Sequence, residues 1–174
     1  MRVESPAVLA LGSNLGDREA TIRAAVRRIE ALPGVTVVKA SGLVETPALK
    51  PEGVDETAPA YLNAVVAIRS AVEPHELLRE LNGIEAEFGR VRDIRWGDRT
   101  LDIDIVQFAG PPIDDEQLTI PHPRAGERAF VLAPWLEIEP DATLPGRGTV
   151  AALLAEAVRA DGSAPKPYPA EPLT

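Results

Sequence analysis

A chain of 174 residues with 45% apolar side chains is large enough for one domain with its own core. The absence of cysteine excludes a disulfide framework and a thiolate metal centre, and two histidines, His75 and His122, cannot form a three-histidine zinc site. A net charge of −9 repels nucleic-acid phosphates and anionic lipid, so neither nucleic acid nor membrane is an expected partner, and any local basic cluster needs a local cause.

The first apolar run, Ala7-Val8-Leu9-Ala10-Leu11, is too short for the core of a signal peptide, and no stretch approaches the ~20 apolar residues of a membrane span. A soluble, cytoplasmic protein is the expectation. That run reads instead as a buried strand, closed by the turn Gly12-Ser13-Asn14. Asp17 is placed to cap a helix reaching about Leu32, with Ile22, Ala25, Val26 and Ile29 at helical spacing, and Pro33-Gly34 ends it. Residues 35–44 predict a second strand, bulged at Gly42, and residues 61–68 a third, rich in branched side chains. Pro74 suits the first turn of a second helix whose apolar stripe is Leu77, Leu78, Leu81, Ile84 and Phe88. Residues 100–108 predict a fourth strand.

The order β-α-β-β-α-β predicts an α+β, ferredoxin-like antiparallel sheet with helices packed on one face. Beyond it, residues 118–120 predict an edge strand, and 127–135 and 149–158 short helices. Residues 1–160 are read as a single domain. Residues 161–174, with Pro165, Pro167, Pro169 and Pro172, offer little to bury and are expected to be a disordered tail. The connections 46–60 and 89–99 are longer than neighbouring elements need. Loops of that length are functional or mere decoration, and the first alternative predicts mobility that substrates would quench.

The strand period puts Asp102 and Asp104 on one face and turns Leu101, Ile103 and Ile105 to the other. One strand repeat separates the carboxylates by about 6–7 Å. At an effective dielectric of about 20 they repel by roughly 2–3 kcal/mol, a sign that a divalent cation reverses. Magnesium held by one or two carboxylates plus substrate phosphates suits such a pair, although a lone D-x-D also fits a solvated strand face. Arg90, Arg92, Arg95 and Arg99 precede this strand, and their forks match phosphate oxygens. Trp96 among them reads as a lid or stacking residue. His122 and Arg124, in Pro121-His122-Pro123-Arg124 with Arg128 and Phe130 following, offer a donor, a fork and a ring; His75 reads as a surface residue. Asn63 and Tyr61 share a strand face, and an amide suits a heterocycle edge that presents both donor and acceptor. Gly12-Ser13-Asn14-Leu15-Gly16 lacks the Gly-Lys-Ser/Thr of a Walker loop, and protein-kinase signatures are absent.

Leu11-Gly12-Ser13-Asn14-Leu15-Gly16, Thr46-Pro47, Tyr61-Leu62-Asn63-Ala64, Gly89-Arg90-Val91-Arg92, Trp96-Gly97-Asp98-Arg99-Thr100-Leu101-Asp102-Ile103-Asp104 and Pro121-His122-Pro123-Arg124 occur in this order. Together, over about residues 7–158, they resemble the 6-hydroxymethyl-7,8-dihydropterin pyrophosphokinases of folate biosynthesis. The resemblance implies a ferredoxin-like core and pyrophosphate transfer from ATP to the pterin's hydroxymethyl oxygen, with release of AMP. It implies two Mg2+ ions on Asp102 and Asp104, with Arg90 and Arg99 also catalytic. Thr46, Pro47, Leu49, Tyr61, Asn63, Trp96 and Phe130 would line the pterin pocket. Asn82, Glu85, Arg90, Arg92, Arg99, Ile105, His122 and Arg128 would serve ATP. The only partners expected are these small-molecule substrates, bound by a monomer. Asn82, Pro123 and Gln117 stand where some members have glutamine, tyrosine and arginine, and the loop 46–60 is longer than in compact members. Two other readings compete. A nucleotidyltransferase, which pairs D-x-D with a Gly-Ser element, would release pyrophosphate instead of AMP. A ferredoxin-like ligand-binding module would consume no ATP.

Overall fold

The computed structural model describes residues 3–14, 16–50, 53–55, 60–89, 100–162 and 164–174, of which 48–50 and 53–55 are described by backbone only. In chain order the elements are β1 (Ser5–Ser13), α1 (Arg18–Glu30), β2 (Val35–Ala40), β3 (Leu43–Thr46), β4 (Ala48–Lys50), β5 (Gly53–Asp55) and β6 (Tyr61–Ser70). There follow α2 (Pro74–Gly89), β7 (Asp102–Phe108), β8 (Ile113–Asp114), β9 (Thr119–Ile120) and a 3-10 turn (Ala125–Glu127). The chain then forms α3 (Ala129–Ile138), β10 (Thr143–Leu144), β11 (Gly148–Thr149), α4 (Val150–Asp161) and β12 (Lys166–Tyr168).

The main sheet runs β12-β3-β6-β1-β7, with β2 also paired to β6, and every pairing in it is antiparallel. β2 and β3 follow each other along the same edge of β6. The bulge expected at Gly42 is a break. Ser41 exchanges two bonds of 2.9 Å with the Val65 backbone, one through its hydroxyl, and the Gly42 N–H donates to the Glu137 carboxylate at 2.9 Å. Helix α1 starts where its cap predicts: the Asp17 carboxylate accepts the Ala20 N–H at 3.1 Å. After α1, Gly34 takes a φ of +82°, which disfavours any residue with a Cβ.

β1 is apolar on both faces because both faces are covered. Leu9 and Leu11 pack with Ile22 and Ile29 of α1 and Leu77, Leu81 and Ile84 of α2. Val8 packs with Val65, Ala67 and Val106 beneath Val131, Leu132 and Trp135 of α3 and Val150 and Leu153 of α4. The two helices of the β-α-β-β-α-β core share one face as expected, and α3 and α4 cover the other, so the sheet is the middle of three layers. At about 1.5–3 kcal/mol for each fully buried large side chain, both interfaces contribute to stability. Among the described residues, no helix is long and apolar enough to cross a membrane.

The disordered tail is corrected. Within the segment 161–174, β12 pairs with β3, Leu173 is buried in the first core cluster, and Tyr168 packs against it. Proline cannot continue a helix, but it is tolerated on a sheet edge, where Pro167 lies. A composition poor in apolar residues gives no sign of main-chain pairing of this kind.

Candidate active site

On the α3/α4 side of the sheet, β1 presents Val8, Ala10 and Gly12 in turn. Helices cover the row at Val8. At Ala10 and Gly12 the side chains shrink, and opposite them on β7 stand Asp104 and Asp102, both half-buried. Leu101, Ile103 and Ile105 are buried on the other face, as the period-two pattern requires. Gly12 also pairs with Asn63 on β6, so one row reads Asn63, Gly12, Asp102. A Cβ on Gly12 would lie 2.9 Å from Asn63 Oδ1, so any larger residue there would have to displace this amide. Asn63 Nδ2 donates to Thr46 Oγ1 at 3.1 Å, joining β6 to the last residue of β3.

An open cleft of about 390 Å³ runs along β7, lined by Leu78, Asn82 and Glu85 of α2, by residues 102–105 and 117–119, and by His122 and Pro123. β7 is the sheet edge here, and Ile103 and Ile105 bury their side chains, so they offer the cleft main chain. The Glu85 carboxylate accepts the Ile103 N–H at 2.8 Å, midway between the two aspartates in sequence. The His122 N–H donates to the Val106 carbonyl at 2.9 Å, which docks the Pro-His-Pro-Arg segment against β7 after a cis Ile120–Pro121 peptide.

Docking brings His122 Nε2 to 4.0 Å and Arg128 Nη1 to 3.9 Å from Asp104 Oδ2, too long for hydrogen bonds but close enough for attraction between charges. The Arg124 N–H donates to His122 Nδ1 at 3.1 Å, which keeps a lone pair there and, in the neutral ring, puts the proton on Nε2, facing Asp104. Burial pushes His122 below the ordinary histidine value of 6.5; Asp104 opposes the shift, and Arg128 and Arg124 add to it. Arg128 remains a cation although its burial also works against the charge. Its guanidinium sits over the Phe130 ring, 5.6 Å from the centroid. Outside the cleft, His75 is more than a surface residue: its Nε2 lies 2.7 Å from Asp115 Oδ2 and ties the start of α2 to the β8–β9 hairpin.

The structure thus brings Asn82, Glu85, Asp102, Asp104, Ile105 and His122 to one cleft, with Arg128 beside Asp104 and Phe130 beneath Arg128. Thr46, Tyr61 and Asn63 gather at the other end of the Gly12 row, where Thr46 faces Tyr61 across β3 and β6. Pro47 adjoins them in the chain, and Leu49 is paired through its backbone to Val54 in the β4–β5 hairpin. Arg90, Arg92, Trp96 and Arg99 lie outside the described residues, as do the rest of the connection 90–99. Sequence reasoning missed Leu78, Ile103, Leu118 and Thr119 as lining residues. A single threonine and apolar residues that read as core carry no signal of a cleft.

A model of the family described as 7,8-dihydro-6-hydroxymethylpterin-pyrophosphokinase matches residues 8–140. The 2-amino-4-hydroxy-6-hydroxymethyldihydropteridine pyrophosphokinase of Methylorubrum extorquens is 46% identical over 140 residues, covering 80% of this chain and 86% of that protein. Its namesake from Bacillus subtilis is 48% identical over 132 residues, covering 76% and 77%. Among solved structures, Plasmodium falciparum HPPK-DHPS superposes with a TM-score of 0.70 at 17% identity, a likeness of fold alone. That match covers 91% of this chain and 44% of the Plasmodium one, so the chain spans less than half of that longer protein. A family match over most of the chain, joined to identities near one half, decides the matter: the chain belongs to the 7,8-dihydro-6-hydroxymethylpterin-pyrophosphokinase family.

Proposed function

We propose that the protein transfers pyrophosphate from ATP to the hydroxymethyl group of 6-hydroxymethyl-7,8-dihydropterin, releasing AMP, as a step of tetrahydrofolate biosynthesis. The observation that carries this reading is the convergence of Asp102, Asp104 and His122 at one cleft, with Arg128 beside Asp104, in a chain of this family.

The donor set suits magnesium. Among the described residues no three His, Cys, Asp or Glu side chains converge into a metal cage. Magnesium needs none, because it takes one or two carboxylates and completes its shell with phosphate oxygens and water. Asp102 and Asp104 would hold two Mg2+ ions, which when bound with the triphosphate neutralise its charge. Arg128 adds fixed positive charge beside Asp104, and His122, neutral at pH 7, offers its Nε2–H as a donor to a phosphate oxygen. In our reading Arg90 and Arg99 are catalytic through the phosphates. Asn82, Glu85, Arg92 and Ile105 serve the nucleotide, and Thr46, Pro47, Leu49, Tyr61, Asn63, Trp96 and Phe130 the pterin. The hydroxymethyl oxygen attacks the β-phosphorus in line. The new O–P bond forms as the bond to the bridging α–β oxygen breaks, AMP departs with that oxygen, and the hydroxyl proton goes to Asp104 or Asp102. The task is mostly positioning and charge neutralisation.

The strand order β7-β1-β6-β2/β3, with α1 after β1 and α2 after β6, supports a ferredoxin-like core extended by α3 and α4. We read the chain through β12, which pairs into the main sheet, as one pyrophosphokinase domain acting as a cytoplasmic monomer. Mixing protein, ATP, magnesium and 6-hydroxymethyl-7,8-dihydropterin should yield AMP and a pterin diphosphate. ADP as the main nucleotide product would overturn the pyrophosphoryl assignment, and release of pyrophosphate would favour a nucleotidyltransferase.

A further inference from the structure

The segment after α4 lies outside the family match, yet it reaches the root of the long loop 47–60. That loop leaves β3 at Thr46 and returns to β6 at Tyr61, and these two residues face each other. β3 is only four residues long. So short an edge strand holds its position weakly unless something pairs with its outer side. β12 does so, with Lys166 opposite Glu45, Pro167 opposite Val44 and Tyr168 opposite Leu43.

Arg18, the first residue of α1, joins the same parts from another direction. Its Nη1 donates to Glu45 Oε2 at 2.8 Å and to the Ala60 carbonyl at 2.8 Å, bridging the two sides of the loop's neck. Its guanidinium lies over the Tyr168 ring, 5.7 Å from the centroid, so the same cation contacts β12. With only 22% of its side chain exposed, Arg18 is held in place rather than waving in solvent. Further along α1, Arg23 donates to the Pro172 carbonyl at 2.8 Å and to the Glu171 carbonyl, while Leu173 is buried in the core. The final segment is thus fastened at both ends, at β3 and at α1.

We propose that residues 164–174 and Arg18 form a brace that sets the neck of the loop 47–60, and with it Thr46, Tyr61 and Asn63, for the pterin substrate. Arg18 is then a positioning residue for the pterin. The nucleotide side, at Asp102, Asp104 and His122, lies on the opposite edge of the sheet and does not depend on the brace. The assignment of Thr46, Tyr61 and Asn63 to the pterin rests on the pyrophosphokinase reading; the brace itself does not.

The test compares the full chain with a variant lacking residues 163–174, with Arg18→Met and with Arg18→Lys. It measures kcat, the KM for 6-hydroxymethyl-7,8-dihydropterin, the Kd of a fluorescent ATP analogue with magnesium, and amide exchange at residues 43–46 and 60–63. The deletion and Arg18→Met should raise the pterin KM about tenfold, the scale of one lost well-placed charged contact, and speed exchange at the neck. The nucleotide Kd should stay within about twofold, and Arg18→Lys, which keeps the charge and a donor, should recover most of the pterin affinity. If the deletion does not fold, Arg18→Met and Arg18→Lys decide alone. An unchanged pterin KM, or equal loss of pterin and nucleotide binding, overturns the proposal. Should the full chain make no pterin diphosphate, the pyrophosphokinase reading fails, while unchanged exchange at the neck in Arg18→Met would still sink the brace.

Discussion

β7 carries three side chains on one face of the sheet, and they meet different fates. Val106 is closed over by α3 and α4, in a cluster with Val8, Ala67, Val131, Leu132 and Trp135. Asp104 and Asp102, one and two strand repeats away, lie over Ala10 and Gly12 and open into the cleft. The alternation of the strand treats the three alike. What differs is the cover above and the size of the side chain beneath. A dry core and an acidic site therefore share a face, and the register of β1 and β7 shifts at Val8/Leu9, where one gives way to the other.

The strongest way to sharpen this contrast is to damage each end separately. Asp102→Ala and Asp104→Ala should each cut turnover by at least about a hundredfold, since several kcal/mol of transition-state charge stabilisation are at stake. Their melting temperatures should move little. Removing either carboxylate relieves a like-charge repulsion, and the attraction to Arg128 that each carboxylate loses, at 3.9 Å for Asp104, is worth about 1 kcal/mol or less at this half-exposed site. Trp135→Ala should do the reverse, costing about 3–5 kcal/mol of stability while kcat measured well below its lowered melting temperature stays near that of the parent. Loss of turnover in Trp135→Ala at full folding would show that the two ends are coupled.

Gly12→Ala tests the floor between them and should have an intermediate effect. A Cβ 2.9 Å from Asn63 Oδ1 must push the amide away and strain its bond to Thr46. The expected cost is about 1–3 kcal/mol of stability, and pterin KM should rise more than nucleotide Kd. A calorimetric titration with each substrate separates the two, and equal weakening would mean that Asn63 is not specific to the pterin side.

The smallest effect is a pH slope. Because the folded-state pKa of His122 lies below 6.5, the unfolded chain binds more protons than the folded one between those values. Stability should therefore fall as pH drops through that window, and the fall should flatten in His122→Asn. Asp115 does not confuse the measurement. Its carboxylate is held below 3.8, first by the Gln117 N–H and then by His75, so its contribution is lost only at lower pH. Thermal melts between about pH 7 and 5 on the parent and the variant, with an identical slope in both, would show that His122 is not the group responsible.

Much of this was legible in the chain. Helix α1 follows from Asp17 and the spacing of Ile22, Ala25, Val26 and Ile29, which are local physics and needed no partner. The opposite facing of Asp102 and Ile103 follows from the pleat of any strand. Family membership was readable because the site motifs are short, ordered and specific. Tertiary structure decided what local rules do not address. Whether the second face of the sheet is covered depends on α3 and α4 returning across it, and neither helix signals its target in its own spacing. That Gly12 lies beneath Asn63, and that His122 reaches Asp104, depends on strand register and on one main-chain bond to Val106. The fate of the last segment was misread for the same reason. Composition measures how much apolar surface a segment can bury, whereas β12 is held by a neighbour's unpaired edge, by Arg18 and Arg23, and by a place in the core for one leucine. Those partners are distant in sequence, and only the folded chain brings them together.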